Sequence, residues 1–123
     1  YKRPDNIYRR YVVPDAGFFV LKPYDRGTHK VVHICDLVLH NRAHGLCNQI
    51  LASIQTFAAE SGASMLTCWL PLDHPYRQAF EEMGFTRDCR NDRFVFATGP
   101  AELLPTLTTP SYWHLSQGDS DVY

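Results

Sequence analysis

The sequence predicts an α/β fold built around a mixed β-sheet, and three observations lead to this class. Residues 30–40 form a strand-like run that is apolar on both faces, which is typical of a strand inside a helix-covered sheet. A helix, a second strand and a second helix are predicted after it, and this crossover makes the two strands parallel. An antiparallel hairpin is predicted before it, so both kinds of pairing meet in one sheet.

The size and composition of the chain fit one globular domain. It has 123 residues, of which 45% are hydrophobic and 20% are charged, with a formal net charge of -1. This balance gives no support to a general nucleic-acid or membrane-surface function. No apolar run approaches the roughly 18 residues that a membrane helix needs. The chain starts at Tyr1 without a signal-peptide pattern, so we expect a cytoplasmic domain cut from a longer protein.

The first elements are predicted to form the antiparallel hairpin. Residues 8–13 and 18–21 are β-rich, and the turn residues Pro14-Asp15-Ala16-Gly17 separate them. A second turn is predicted over residues 24–28, before the long strand. In that strand the odd-numbered side chains from 31 to 39 are expected on one face and the even-numbered ones from 32 to 38 on the other.

Helical spacing begins after this strand. A stripe of apolar residues runs from Leu46 to Ala58, and Gly62 stands at the position of a helix C-cap. A strand over residues 64–70 follows, and then a second helix that opens at Pro75 and stops at Gly84. Two last strands are predicted at residues 93–98 and 112–116, with a long and partly helical connection between them.

The junction between the long strand and the first helix carries the main chemical signal. It reads His40-Asn41-Arg42-Ala43-His44-Gly45-Leu46-Cys47, so a basic residue and a glycine stand where the helix begins. Such a turn exposes unpaired backbone N–H groups beside the positive end of the helix dipole, and glycine lets a phosphate approach them. The sequence therefore predicts a phosphate site, although many helices begin after a glycine without binding one.

Two motifs resemble those of the GNAT superfamily of acyl-CoA-dependent N-acetyltransferases. The family's pyrophosphate motif is Gln or Arg, two residues, Gly, one residue, then Gly or Ala, and Arg42 to Cys47 is similar to it. The family's second-helix ending is an aromatic residue, three residues and Gly-Phe, and Phe80 to Phe85 is similar to it. The resemblance covers residues 8–117 and implies a single GNAT-like domain over residues 1–123 that lacks the family's first strand and first two helices.

The resemblance implies an activity and a set of binding residues. The activity is transfer of acetyl from acetyl-CoA, as cosubstrate, to an amine of a small molecule or peptide, by direct attack on the thioester. The implied cofactor-binding residues are Leu39, Arg42, His44, Gly45, Leu46 and Cys47. The alternative is a non-catalytic module that keeps the fold for ligand binding or protein interaction. In many family members a tyrosine protonates the departing thiolate at the position of Phe80, which has no ionisable hydroxyl.

Asp36 and Tyr76 are the candidate catalytic residues. Asp36 is an acid within an otherwise apolar face of the long strand, a setting suited to a general base, while a backbone-bonded polar residue explains it equally well. Tyr76 lies one turn before Phe80 and could replace the missing acid, although its place on the apolar stripe favours core packing. His33 and His40 are further candidates for the base.

Metal binding is not expected. Two sets of side chains have ligand chemistry, but neither has a second clustered pair to complete a tetrahedral site. The sets are His29, His33 and Cys35, and His40, His44 and Cys47. The cysteines show no CxxC spacing, and a domain of this size needs no disulfide bonds, so reduced thiols are expected.

The first predicted strand would lie at an edge of the sheet. Its apolar side chains favour pairing with another chain, and Arg9 and Arg10 partly guard against it. We therefore expect either a homodimer through this strand or an upstream segment of the same protein as its partner.

Overall fold

The computed structural model describes residues 7–88 and 100–107, and four strands in it form one sheet. These are β1 (Arg9–Val13), β2 (Gly17–Asp25), β3 (Lys30–Leu39) and β4 (Met65–Cys68), adjacent in that order. β2 pairs antiparallel with β1 and with β3, whereas β3 and β4 are parallel. The α/β class and the mixed pairing that the sequence predicts are therefore confirmed.

The helices follow the predicted order. A 3₁₀ helix at Asn41–Leu46 leads directly into α1 (Cys47–Glu60), and the second helix, α2, spans Arg77–Glu82. A 3₁₀ turn at Ala101–Leu103 and the short α3 (Leu104–Leu107) lie in the connection predicted to be partly helical. The predicted strands at residues 93–98 and 112–116 lie outside the described residues.

Glycines follow the ends of α1 and α2 at the predicted positions. Gly62 follows α1 with a φ of 76°, and Gly84 follows α2 with a φ of 89°. A left-handed backbone is strained for residues with a side chain, so glycine stops the helix and turns the chain back to the sheet. α2 begins two residues after the predicted Pro75, because Tyr76 takes its N-cap position.

β2 is longer than predicted. It continues past Leu21 to Asp25, because Lys22 to Asp25 extend the ladder with β3, down to Asp25 opposite Lys30. The predicted second turn therefore begins later, where the Asp25 carboxylate accepts a hydrogen bond of 2.8 Å from the N–H of Gly27. At the other end of β2, a Cβ on Gly17 would lie 1.9 Å from the carbonyl oxygen of Val38, so only glycine lets the hairpin approach β3 this closely.

The predicted assignment of side chains to the two faces of β3 is wrong beyond Cys35, because β3 contains a β-bulge there. Val20 pairs with Asp36 and Leu21 pairs with Ile34, so Cys35 is an extra residue between them. The alternation consequently shifts by one residue after Cys35. Leu37 and Leu39 join the face of Ile34, and Asp36 lies on the opposite face with its partner Val20.

The hydrophobic core lies between the Ile34 face of the sheet and the helices. Its centre consists of fully buried aliphatic side chains from β2, β3 and α1, namely Leu21, Val32, Ile34, Leu51 and Ile54. Tyr76 and Phe80 add aromatic rings from the α2 region, and the Phe80 ring centre lies 4.7 Å from that of Phe85. This packing fixes the start of α2 against the end of β3.

β1 lies at an edge of the described sheet, as expected. The guanidinium of Arg9 lies 5.3 Å from the ring centre of Phe57, and that of Arg10 lies 5.0 Å from the ring centre of Phe18. Both arginines are thus held by cation–π contacts on the surface of this strand. The expected homodimer or upstream partner at β1 stays a prediction.

The face of the sheet opposite the core carries a buried basic side chain. Lys22 is 2% exposed, and its Nζ lies 5.6 Å from the ring centre of Tyr8 and 5.7 Å from that of Tyr24. His33 pairs with Lys22 across the ladder, and its Nδ1 lies 2.6 Å from Oγ1 of Thr67. Burial, followed by the positive charges of Lys22 and Arg26, lowers the pKa of His33 to about 4. The ring is therefore neutral at neutral pH.

Lowering the pH from 7 to 5 is expected to destabilise the fold through His33. The unfolded chain takes up this proton near pH 6.5, but the folded chain does so only near pH 4, so acid favours unfolding within this window. The expected contribution at pH 5 is about 1–2 kcal/mol of unfolding free energy. Urea unfolding at the two pH values measures the loss, which should be smaller in a His33→Asn variant. Equal losses in both proteins would assign the acid sensitivity to other groups.

Candidate functional site

β3 continues beyond the end of its pairing with β4. The parallel ladder runs from Val31 opposite Met65 to Ile34 opposite Cys68, where β4 ends, whereas β3 continues to Leu39. From Cys35 onward β3 is paired with β2 on one edge and, among the described residues, with no strand on the other. We name this place the β3–β4 gap. The 3₁₀ helix and α1 begin at the same end of β3, so the strand end and the helix start form one site.

The hydroxyl of Tyr76 lies in the β3–β4 gap. It accepts a hydrogen bond of 2.9 Å from the N–H of Leu39 and donates one of 3.2 Å to the Leu39 carbonyl. One side chain thus satisfies both backbone groups that a neighbouring strand would otherwise bind. Burial is the main cause that raises the pKa of Tyr76, so the phenol stays protonated at neutral pH.

Two imidazole rings contact the ring of Tyr76. The ring centre of His44 lies 5.1 Å away with the planes at 90°, and that of His74 lies 4.5 Å away. The backbone N–H of Tyr76 also donates to Nδ1 of His74 at 3.2 Å. Tyr76 is therefore positioned through its hydroxyl, its ring and its backbone.

Sequence reasoning missed His74. Its imidazole accepts the N–H of the residue two positions later, as a polar side chain does when it closes a turn at the start of a helix. The signal that could have found it is a polar residue directly before Pro75, at the opening of a predicted helix.

The predicted catalytic residues occupy different positions around the gap. Tyr76 lies within it, but both hydrogen bonds of its hydroxyl go to Leu39. Asp36 is half-buried on β3, on the face opposite the core, and its negative charge contributes to the raised pKa of Tyr76. The catalytic roles of Asp36 and Tyr76 stay predictions.

The alternative base His40 is engaged elsewhere. Its Nε2 hydrogen-bonds to the carbonyl of Asp15, and its backbone N–H donates to the carbonyl of Ala16 at 2.9 Å. Both contacts attach the end of β3 to the β1–β2 turn. His40 therefore positions the hairpin against the start of the 3₁₀ helix.

The predicted phosphate turn is a 3₁₀ helix instead of an open loop. The N–H of Ala43 donates to the His40 carbonyl at 2.8 Å, and the N–H of Cys47 donates to the His44 carbonyl. The N–H of Cys47 is therefore not one of the unpaired donors expected in this turn, because the i to i+3 bonding of the turn uses it. No left-handed φ is needed at Gly45, so the turn residues continue smoothly into α1.

The predicted cofactor-binding residues divide by exposure. Arg42, Gly45 and Leu46 are exposed, and a Cβ on Gly45 would meet no heavy atom within 4 Å. The side chains of Leu39 and Cys47 are buried in the core, and His44 is half-buried against Tyr76. The surface that this junction presents is thus a positive charge at Arg42 beside open space at Gly45.

Within residues 7–88 and 100–107, no group of three or more His, Cys, Asp or Glu side chains is placed to hold a metal ion. The helices in the same ranges are too short or too polar to span a bilayer.

Comparison with solved structures shows an acetyltransferase-like fold. A crystal structure named as that of a "probable acetyltransferase" aligns with a TM-score of 0.56 and 15% sequence identity, over 78% of this chain and 70% of that chain. No protein-family model and no curated protein sequence matches the chain. At this identity the likeness concerns the fold alone. The resemblance to the GNAT superfamily is thus supported at the level of an α/β acetyltransferase-like fold.

Cys47 is expected to resist alkylation in the native protein. Burial raises the pKa of its thiol to about 11, so little reactive thiolate forms at pH 8, and the side chain faces the core. Brief exposure to iodoacetamide at pH 8, followed by peptide mass spectrometry, measures the modified fraction, with the urea-unfolded chain as the control. Native labelling as fast as in urea would show that Cys47 faces solvent at the junction.

Proposed function

We propose that this chain is the acyl-CoA-binding part of a GNAT-like N-acetyltransferase, acting on an amine of a small molecule or peptide. The observation that carries the proposal is the β3–β4 gap beside the start of α1, within a fold like that of a probable acetyltransferase. An extended thioester ligand fits such a gap, because backbone groups at the edge of β3 can bind it as they would bind a strand.

The junction supplies the groups that a pyrophosphate requires. Arg42 offers a permanent positive charge and several N–H donors, and the start of α1 adds the positive end of a helix dipole. The open space at Gly45 lets an anion approach the turn. Since Cys47 uses its N–H within the turn, the proposed recognition depends on Arg42 more than on the backbone.

The proposed reaction needs a base that takes the proton of the attacking amine. The amine nitrogen attacks the thioester carbonyl carbon, a C–N bond forms, the C–S bond breaks, and the thiolate departs with the electron pair. Asp36 is the proposed base for the amine proton. The thiolate needs no obligatory acid, because a thiol pKa near 8.5 makes it a tolerable leaving group at neutral pH.

A non-catalytic binding module is the second candidate, and two contacts favour it. Phe80 packs its ring against Phe85 at the position where a phenol would protonate the thiolate. Tyr76, the available phenol, directs its proton to the Leu39 carbonyl. Such a module would bind the cofactor without turning it over.

Replacing Gly45 with valine is expected to weaken CoA binding at least tenfold. A branched side chain would fill the open space at the turn, while the absence of neighbours within 4 Å lets the fold accept it. Isothermal titration with CoA and with acetyl-CoA gives the affinities. Ala59→Val is the matched control, because it adds the same branching at an exposed site near the other end of α1. Equal affinity of the Gly45 variant and the wild type would contradict the proposed site.

Replacing Asp36 with asparagine is expected to reduce acetyl transfer by about 100-fold, the usual contribution of a general base, with little change in CoA affinity. Thiol release from acetyl-CoA in the presence of small amines and lysine peptides measures turnover. Tight CoA binding by the wild type without any thiol release would instead identify the non-catalytic module. Undiminished turnover in the variant would remove Asp36 from the mechanism.

A further inference from the structure

We propose that Tyr76 is a specificity-determining gate of the β3–β4 gap. Its hydroxyl holds the two backbone groups of Leu39 that a ligand would bind, so a ligand enters the gap only by replacing both bonds. This inference rests on the proposed acyl-CoA function and names the part of the ligand that the gap selects.

The bonds of Leu39 define the chemistry that can replace Tyr76. Its N–H requires an acceptor and its carbonyl requires a donor, and the Tyr76 hydroxyl provides both. Two successive secondary amides also provide both, the C=O of one and the N–H of the other, in the manner of an added β-strand. An ester or a carboxylate provides only acceptors and would leave the Leu39 carbonyl unpaired, which is unfavourable in a buried position.

The edge of β3 offers further bonds beyond Leu39. The N–H of His40 points to the hairpin, since it donates to the carbonyl of Ala16. Because backbone groups alternate along an extended strand, the N–H and C=O of Leu39 point to the gap. Leu37, two residues earlier, presents its backbone groups on the same edge by the same alternation. An extended chain with repeated amides can therefore follow β3 inward once Tyr76 has moved.

The position of Tyr76 makes its displacement feasible. It is the N-cap of a helix of only six residues, and its ring is buried in the core against His44 and His74. Displacement therefore requires only that the hydroxyl leaves Leu39 through a shift at the start of this short helix, while the ring stays in the core. The arm of CoA between nucleotide and thiol carries secondary amides, whereas the nucleotide part carries none. The gate therefore acts on the arm and leaves recognition of the nucleotide at Arg42 unaffected.

Substitution of Tyr76 by phenylalanine is expected to change the stability of the free protein and of the complex differently. The variant leaves the Leu39 groups unpaired only when no ligand is bound, so the free protein loses stability while the complex does not. We expect a lower melting temperature without ligand and at least fivefold tighter binding of CoA. The affinity for adenosine 3′,5′-bisphosphate, which lacks the arm, should be unchanged.

Titration calorimetry of the wild type and Tyr76→Phe with both ligands tests the gate. Tyr11→Phe is the matched control, because Tyr11 is a half-buried tyrosine on β1 whose ring stacks on Phe19 at 4.9 Å, away from the gap. Equal or weaker CoA binding by the Tyr76 variant overturns the gate but leaves the proposed function standing. Failure of both proteins to bind CoA overturns both, and an equal gain for the nucleotide assigns the effect to the turn.

A measurement on the wild type covers the case in which the variant does not fold. In an NMR titration, CoA should shift the amide resonance of Leu39 and the ring resonances of Tyr76, and adenosine 3′,5′-bisphosphate should shift neither. Binding of CoA with both sets of resonances unmoved would overturn the gate.

Discussion

The site depends on the pair of hydrogen bonds between the Tyr76 hydroxyl and the backbone of Leu39. β3 continues beyond the end of β4. A buried strand edge without partners is unfavourable, because each N–H and C=O loses its hydrogen bond to water and gains no other. Tyr76 supplies the missing partners from the start of α2. The same bonds fix the packing of α2 on the core and define what a ligand in the gap must replace.

The bulge at Cys35 connects the core to this arrangement. If the side chains alternated regularly through Cys35, Leu37 and Leu39 would lie on the face opposite Ile34 and could not join the core. With the bulge, Leu39 is buried in the core, and its backbone lies within reach of Tyr76. Asp36 is placed on the other face by the same shift, so one irregularity separates the packing residue from the proposed base.

Local patterns predicted the architecture, whereas long-range contacts determined the site. The two apolar faces of residues 30–40 and the stripe from Leu46 to Ala58 are local features, and they led to the correct order and pairing of the elements in the described residues. The bulge depends on the register with β2, and the Tyr76 bond joins residues distant in sequence, so neither leaves a periodic signal. Gly45 suggested an open turn, but the flanking residues bond as a 3₁₀ helix, which glycine permits equally well.

The chain differs from the GNAT motifs at Cys47 and at Phe80, and these two differences affect the proposed binding and the proposed catalysis unequally. Cys47 stands where a second glycine or alanine is expected, yet its side chain points into the core and leaves the surface at Arg42 and Gly45 open. The proposed binding therefore survives this change. Phe80 removes a proton donor, and the remaining phenol at Tyr76 is already committed to Leu39. A ligand that displaces Tyr76 would release this hydroxyl from Leu39, so under the proposed function the gate and the missing acid concern the same side chain.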